Sequence, residues 1–370
     1  MFKKDLMLMM GINRRVFIKF LASSSIFYSQ IALGEAKHSP IFFSAFNNER
    51  GESFISSFNQ NGKILFTTPL NYRGHSVLYN KQNNTIAVFS RRPGNKISIL
   101  DYSSGVIINE FKSHLGYHFY GHGCFSNNGK ILFTSENNYE KQRCVISIRD
   151  VSNNYKLIGE YGSAGIGPHE ILLYEKNILC VANGGILTHP KTGRKKLNIN
   201  SMDSNLAYID LNNGQLIDKY YLSDSQLSIR HITKCKKNQI AIAMQYQGNK
   251  NKLISLVGNH NKGEITLFKT SDNILKDMKQ YCGSIISDND KIIVSNPRGN
   301  IATVWDNLNK SFIKKISMVD VCGIANAKNN IFMTNGYGAI NTISMEENST
   351  KINKINKFRN VKWDNHLTVI

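Results

Sequence analysis

The sequence lacks most of the short motifs that mark common catalytic sites. It contains no Gly-x-Ser-x-Gly, no His-Glu-x-x-His, no Cys-x-x-Cys and no Cys-x-x-Cys-His. A serine-triad hydrolase, a zincin protease and a c-type haem protein therefore have no sequence support. The glycine-rich stretch GSAGIGPHE, at 162–170, does not open a helix after a parallel strand, so a loop explains it better than a dinucleotide fingerprint.

Acidic residues are also scarce. The 370 residues include 26 Asp and Glu against 46 Lys and Arg, which gives a formal net charge of +20. A surface this basic favours polyanionic partners, such as nucleic acid, anionic lipid head groups or acidic polymers, and it also suits an acidic small molecule or an acidic protein. Lys and Asn are nevertheless spread along nearly every loop rather than clustered, which favours a solvated surface without a specific partner.

Residues 1–36 are predicted to be a targeting segment. The run NRRVFIK at 13–19, the moderately apolar stretch 20–33 and the small residues Gly34 and Ala36 resemble a twin-arginine (Tat) export signal. The apolar stretch is short and polar for a membrane span, which needs about 20 residues, so retention as an anchor is the weaker alternative. We expect removal of the signal, a periplasmic protein without a stable membrane span, and no nucleic-acid partner.

Six cysteines leave the redox state open. In an exported protein they could form three disulfides, or they could be buried as small apolar side chains. Most of them fall inside or beside predicted strands: Cys124, Cys144, Cys180, Cys235, Cys282 and Cys322.

The chain is internally repetitive. A His follows Gly, Pro or Arg at the start of four similar segments, and the first three of these His are 47 residues apart; the four are His75, His122, His169 and His231. The last step is 62 residues because of an insertion at 184–205, and Cys282-Gly283 and Cys322-Gly323 occupy the same point in two further segments. A period of about 40 to 50 residues is typical of propeller blades.

Four short β-type runs fill each repeat. After the opening run come runs such as TIAVFS, KISILD and VIINEF, bounded by Asn, Gly and Ser. Six repeats extend from His75 to about residue 355, while three runs at 41–70 and the C-terminal NVKWDNHLTVI lack partners of their own. The prediction is an all-β protein, a single seven-bladed β-propeller over residues 37–370, with N- and C-terminal strands sharing one blade.

Channel-facing residues are the best candidates for chemistry. The first strand of each blade lines the central channel of a propeller, so the repeated positions should form an arc around its axis. Imidazole and thiolate suit Zn, Cu or Fe. The arc predicts a metal site whose candidates are His75, His122, His169 and His231, with Cys282 and Cys322 as weaker ones. The alternative is a structural role for these His, and the repetition itself favours it, since a packing solution is copied along with its repeat.

Basic side chains near the same channel predict an anion site. Arg73, Arg91, Arg92 and Arg230 lie beside channel-proximal runs, where they could bind a carboxylate or phosphate. The insertion 184–205 adds His189 and a basic cluster, and a loop this long can serve as a lid or as a partner-binding element. Glu136 and Glu170 are candidate bases or ligands, although such carboxylates more often cap turns.

Several strings resemble a known bacterial family. They include HFYGHGCFSNNGKILFTSENNYE, GIGPHEILL, VANGGILTHPKTGRKKLN and the closing WDNH, and they are similar to the Tat-exported family catalogued as domain of unknown function 1513. The resemblance implies a propeller similar to YVTN-type and lactonase-like ones, an exported protein and, by association only, iron or redox handling.

Three functions follow from the sequence. The first is a monomeric periplasmic protein that binds a metal or a small anion in its channel. The others are an interaction scaffold that docks an acidic partner and a lactonase-like, metal-dependent hydrolase. The His-rich arc disfavours the last of these, because Ca²⁺ prefers oxygen ligands. Whether the protein is an enzyme stays open.

Overall fold

A computed structural model of the chain describes residues 39–327, 330–345 and 350–370. In this part of the chain the strands form seven antiparallel sheets. They are the seven blades of a β-propeller, as the repeat predicts. The predicted signal, residues 1–36, lies outside the described residues.

Six blades are each built from four strands that are consecutive in the chain. Blade 1 consists of β4 (Gly74–Asn80), β5 (Thr85–Ser90), β6 (Lys96–Asp101) and β7 (Ile107–Lys112). Blade 2 consists of β8 (Tyr117–Phe125), β9 (Ile131–Asn138), β10 (Arg143–Asp150) and β11 (Lys156–Gly162). Blade 3 consists of β12 (Pro168–Glu175), β13 (Ile178–Asn183), β14 (Asn205–Asp210) and β15 (Leu216–Tyr221). Blade 4 consists of β16 (Leu227–Lys234), β17 (Ile240–Tyr246), β18 (Val257–Asn261) and β19 (Glu264–Leu267). Blade 5 consists of β20 (Ser284–Asp288), β21 (Lys291–Asn296), β22 (Ile301–Asp306) and β23 (Ser311–Ser317). Blade 6 consists of β24 (Val321–Ala327), β25 (Asn330–Asn335), β26 (Ala339–Met345) and β27 (Thr350–Lys357).

Blade 7 joins the two ends of the described chain. Its middle and outer strands are β1 (Ile41–Asn47), β2 (Ser53–Asn59) and β3 (Ile64–Leu70), and two short strands pair with β1 on the inner side, β28 (Lys362–Trp363) and β29 (Thr368–Val369). Residues 364–367 fall between these two short strands. This closure removes the free edges that an open ring would leave.

Burial explains why these runs form blades. The second strands are buried along most of their length and contain an apolar run, and all six residues of β5 (TIAVFS) are buried, because both faces of a blade pack against neighbouring blades. The outer strands alternate between exposed and half-buried residues, as in IINEFK of β7. The apolar cores therefore lie between blades, and the channel is left to more polar side chains.

The remaining elements are minor. The helix α1 (Asp272–Asp277) lies in the connection between blades 4 and 5, where the sequence gives no helical periodicity. All six cysteines are free thiols, five of them buried and Cys124 half-buried, which agrees with the apolar alternative. Within the described ranges no helix is both long and apolar enough to cross a membrane.

The innermost strands are irregular at one shared level. The ladders between first and second strands shift register at Gly74/Val77, Phe119/Gly123, Pro168/Ile171, Ile229/His231 and Val321/Ile324. Each shift is a β-bulge, which redirects side chains that strict alternation would fix. In four of the five blades a bulge therefore sits at the repeated His.

Candidate metal centre

Five histidines from five consecutive blades meet in the channel. Around the circuit, neighbouring ring centroids are 4.4 to 5.0 Å apart, and most rings meet edge to face. We call this group the His cluster; it consists of His75, His122, His169, His231 and His366. The structure thus brings the four repeated His together and adds one from the closing blade.

The bulges and one glycine allow this close approach. His75, His122 and His169 lie inside the register shifts of β4, β8 and β12. Gly121, at φ +98°, precedes His122, and a Cβ placed there would come within 2.7 Å of His75 Cδ2. A glycine is therefore needed for the backbone conformation and for the contact with the neighbouring imidazole.

Two members of the His cluster are oriented by carboxylates. His75 Nδ1 is 2.7 Å from Asp364 Oδ1, and His231 Nδ1 is 3.2 Å from Glu170 Oε2. Burial opposes ionisation of Asp364, but His75 and Arg91 outweigh it and hold the pKa of this carboxyl well below its usual range. Asp364 is therefore an ionised carboxylate, which can only accept hydrogen bonds. His75 Nδ1 donates a hydrogen bond to it, and the lone pair of the neutral imidazole is on Nε2. Carboxylates orient metal-binding imidazoles in the same way.

The other three members have unpartnered ring nitrogens. His122 Nε2, His169 Nδ1 and His366 Nε2 are buried without a hydrogen-bond partner in the described residues. His118, four residues before His122 on β8, is different: its Nδ1 donates to the Phe119 carbonyl at 3.0 Å and its Nε2 accepts from Asn137 Nδ2 at 3.1 Å. Buried polar atoms are normally satisfied, so these three nitrogens are available to bind a ligand.

The cluster favours neutral imidazole. Burial lowers the pKa of His75, and it lowers the pKa of His122, His169 and His366 well below the usual value, with repulsion from neighbouring imidazoles adding to the effect. Neutral imidazole is the form that ligates metal ions. These four imidazoles are therefore neutral, and able to bind a metal ion, at neutral pH.

Two overlapping triads have ligand atoms within reach of one ion. They are His75, His122 and His169, and His122, His231 and His366; within each triad these atoms lie within 4.8 Å of one another. A tetrahedral Zn²⁺ with bonds of about 2.0 Å needs nitrogens about 3.3 Å apart, so the most widely separated nitrogens would have to approach each other by up to about 1.5 Å on binding. A neutral imidazole has one lone pair, and His122 belongs to both triads. The two triads are therefore alternative binding positions for a single ion.

A cationic cavity adjoins the His cluster. It has a volume of about 890 Å³, and its lining includes Arg73, Arg91, Arg92, Arg230, Arg194 and Arg298. A smaller void of about 40 Å³ shares several of these residues and also touches three members of the His cluster. On the opposite side, a cavity of about 240 Å³ is lined by later residues of β4 and by His122 and His366. The His cluster therefore lies between two cavities of the channel.

The predicted arginines have different partners. Arg91 Nη1 is 2.7 Å and Arg73 Nη2 is 3.4 Å from Asp364 Oδ2, so both share the carboxylate that orients His75. Arg92 Nη1 and Arg230 Nε have no hydrogen-bond partner in the described residues. Arg230, only 4% exposed, is the bulged residue of β16. Burial, with Arg92 nearby, lowers its pKa to about 9.

The insertion 184–205 is packed against this cavity. Asn198 accepts from Leu187 N at 2.7 Å and donates to Gly185 O at 2.8 Å, which folds the loop back on itself. Arg194 and Lys196 line the cavity, whereas His189 is not among the lining residues. His189 Nδ1 instead accepts from Lys191 N at 3.1 Å and caps a short 3₁₀ helix. The loop thus adds cations to the site, and His189 has a local structural partner.

The remaining candidates lie outside the His cluster. Cys282 is fully buried; its Sγ is 3.7 Å from Leu256 O, and Asn296 donates to it at 3.5 Å. Cys322 lines the cavity, with Sγ 3.1 Å from Asp320 O, and neither thiol belongs to a His triad. Glu136 is buried in β9 and paired with Arg149 Nη2 at 2.8 Å. These groups do not contribute to either triad.

Asp364 and His366 are the site residues that sequence reasoning missed. They belong to the break between β28 and β29, outside the 47-residue spacing. The sequence contained a usable signal. If the C-terminal segment closes blade 7, its single His must enter the channel beside His75.

The fold and this site define a class. The chain is a seven-bladed propeller with a His cluster beside a cationic channel cavity. A family model described as "Protein of unknown function (DUF1513)" matches residues 68–370, and the chain belongs to that family. This confirms the resemblance read from the sequence, although the match does not bear on the export signal. No curated protein matches the chain significantly.

Solved propellers share the fold at low sequence identity. A hypothetical selenium-binding protein from Sulfolobus tokodaii matches with a TM-score of 0.64 and 14% identity over 90% of this chain and 94% of its own. Hydrazine synthase from Kuenenia stuttgartiensis matches with a TM-score of 0.58 and 11% identity, over 88% of this chain and 99% of its own. AztD from Citrobacter koseri matches with a TM-score of 0.55 and 11% identity, over 90% of this chain and 98% of its own. At such identities the likeness extends to the fold alone.

Proposed function

We propose that this protein is an exported propeller that binds one transition-metal ion at the His cluster. The observation that carries the proposal is the convergence of five imidazoles, three with unpartnered nitrogens and two oriented by Asp364 and Glu170. A site of neutral nitrogen ligands without thiolate suits Zn²⁺ or Cu²⁺, and it suits iron ions less selectively. The description "selenium-binding" belongs to the Sulfolobus tokodaii protein alone.

The ligand set argues against an oxygen-ligated Ca²⁺ centre of the lactonase-like type. Ca²⁺ takes six to eight oxygen ligands. In the described residues, the two carboxylates that touch the His cluster, Asp364 and Glu170, are already bonded to imidazole, and Glu170 also accepts from Ile232 N at 2.9 Å. The metal we propose is therefore held by nitrogen. A role in iron or redox handling stays a prediction that metal preference would test.

Calorimetric titration of metal-free protein with Zn²⁺ and, separately, with Ca²⁺ tests this function. We expect one Zn²⁺ per chain and no heat from Ca²⁺, because imidazole nitrogen is a poor ligand for a hard cation. Absence of Zn²⁺ binding, or Ca²⁺ binding of similar strength, would contradict the proposal. Cu²⁺ and Fe²⁺ titrations under the same conditions then rank the metals.

A further inference from the structure

The cavity beside the His cluster carries a large excess of positive charge. Its lining includes six arginines and three lysines against three carboxylates. One of these carboxylates, Asp364, is already shared by Arg73, Arg91 and His75. The charge of the cavity is therefore far from balanced by the protein itself.

Arg230 is the most confined of these cations. It is 4% exposed, and its Nε has no hydrogen-bond partner in the described residues. Arg92, half-buried beside it, has an unpartnered Nη1. Among described residues, no carboxylate lies within ion-pair distance of either guanidinium. A buried charge without a counter-ion is strongly destabilising, so these two guanidinium groups need a partner that the described residues do not supply.

The neighbouring groups are suited to an oxyanion. Two guanidinium forks can each donate two parallel hydrogen bonds to a carboxylate or phosphate. The Tyr120 side chain lines the same void, and its hydroxyl is 3.6 Å from Cys144 Sγ, so among the described residues the two guanidinium groups are the donors that remain without partners there. Both arginines also line the void that reaches the His cluster.

The size of the cavity indicates more than one anionic group. A volume of about 890 Å³ is in the range of sites for organic ligands. Further cations lie at its periphery, on separate elements: Arg194 comes from the insertion and Arg298 from blade 5, where it stacks 4.2 Å from the Tyr281 ring. A single phosphate at Arg230 would leave these unused.

We propose that the cavity binds a small polyanion with at least two carboxylate or phosphate groups, one of them held by Arg92 and Arg230 next to the His cluster. The peripheral cations Arg194 and Arg298 hold the other groups. An anion here would also offset the positive charge that opposes a metal cation at the neighbouring imidazoles. The site exists in the metal-free protein, so it can be tested apart from the metal centre.

The test is calorimetric titration of metal-free protein with citrate, inorganic pyrophosphate and inorganic phosphate. We expect citrate or pyrophosphate to bind at one site per chain and more tightly than phosphate. Arg230→Gln should lower that affinity at least about tenfold, because it removes charge-assisted hydrogen bonds in a buried place. Lys362→Gln removes an exposed lining charge and should change the affinity less than about threefold.

Further arms keep the result interpretable. Arg230→Lys retains the charge but not the fork, so it should also weaken binding, and it protects the test if Arg230→Gln fails to fold. Zn²⁺ binding by a folded Arg230 variant should persist, which separates this site from the metal centre. The proposal would be overturned if Arg230→Gln and Lys362→Gln lowered the anion affinity equally. It would also be overturned if phosphate bound as tightly as citrate and pyrophosphate, or if no anion bound at all. Stronger binding of citrate than of pyrophosphate would identify carboxylates as the preferred groups, and the reverse would identify phosphates.

Discussion

Replacing His122 with Gln should lower Zn²⁺ affinity by at least about 100-fold, the upper end of what even outer-shell changes cost at metal sites. His122 belongs to both triads, so its loss leaves neither binding position with three imidazoles. Its Nε2 is one of the three unpartnered nitrogens. Gln keeps a polar side chain of similar reach but offers no imidazole lone pair. Competition against a chromophoric chelator measures the change.

His118→Gln is the matched control. His118 is on the same strand, is 1% exposed, and has a pKa lowered by burial to about 4. Both of its ring nitrogens already have partners. Its replacement should lower stability and leave Zn²⁺ affinity unchanged. If both variants lose Zn²⁺ equally, the effect comes from disturbed folding and the His cluster is not the site.

Replacing Asp364 with Asn should both destabilise the protein and weaken metal binding. The carboxylate is 4% exposed and is shared by Arg91, Arg73 and His75. Removing one partner of a buried ion pair costs about 3 kcal/mol or more. Loss of the group that orients His75 should lower Zn²⁺ affinity about 10- to 100-fold. Urea unfolding at neutral pH and the same competition assay measure the two effects.

The stability difference should depend on pH in one direction. The folded-state pKa of Asp364 is well below the unfolded value of about 3.8, mainly through His75 and Arg91 acting against burial. The stabilisation is then fully present above pH 4 and is lost as the pH falls further. We expect a constant gap between wild type and Asp364→Asn from pH 8 to about 5, narrowing below pH 4. A gap that widens with acid would contradict the ionised state assigned to Asp364.

Glu136→Gln separates the two effects of Asp364→Asn. Glu136 is equally buried and paired with Arg149, but it does not contact the His cluster. It should cost stability of similar size and leave Zn²⁺ affinity intact. A loss of Zn²⁺ affinity in this variant would show that global destabilisation, not the orientation of His75, controls binding.

Much of the fold could be predicted because the blade is a local unit that repeats. The 47-residue spacing placed His75, His122 and His169 on successive inner strands, and the unpartnered runs at both ends predicted the shared blade. A strand-level pattern cannot show where a bulge occurs. The register argument put Cys282 beside the histidines, but β20 has no register shift and the thiol lies in the apolar core between blades.

Other parts of the site depend on contacts across the whole chain. Asp364 reaches His75 across 289 positions, and only closure of the ring brings them together. The same closure adds His366. The sequence also favoured a structural role for the repeated His, because repetition suggests packing. The unpartnered nitrogens, which only a three-dimensional structure can reveal, shift the balance towards binding.

X-ray absorption at the zinc edge of protein loaded with one equivalent of Zn²⁺ tests the central claim most directly. A His-cluster site predicts a first shell of three or four nitrogens at about 2.0 Å, outer-shell scattering from imidazole rings, and no sulfur. Sulfur at about 2.3 Å, or a shell of oxygen without imidazole scattering, would place the metal elsewhere and contradict the account.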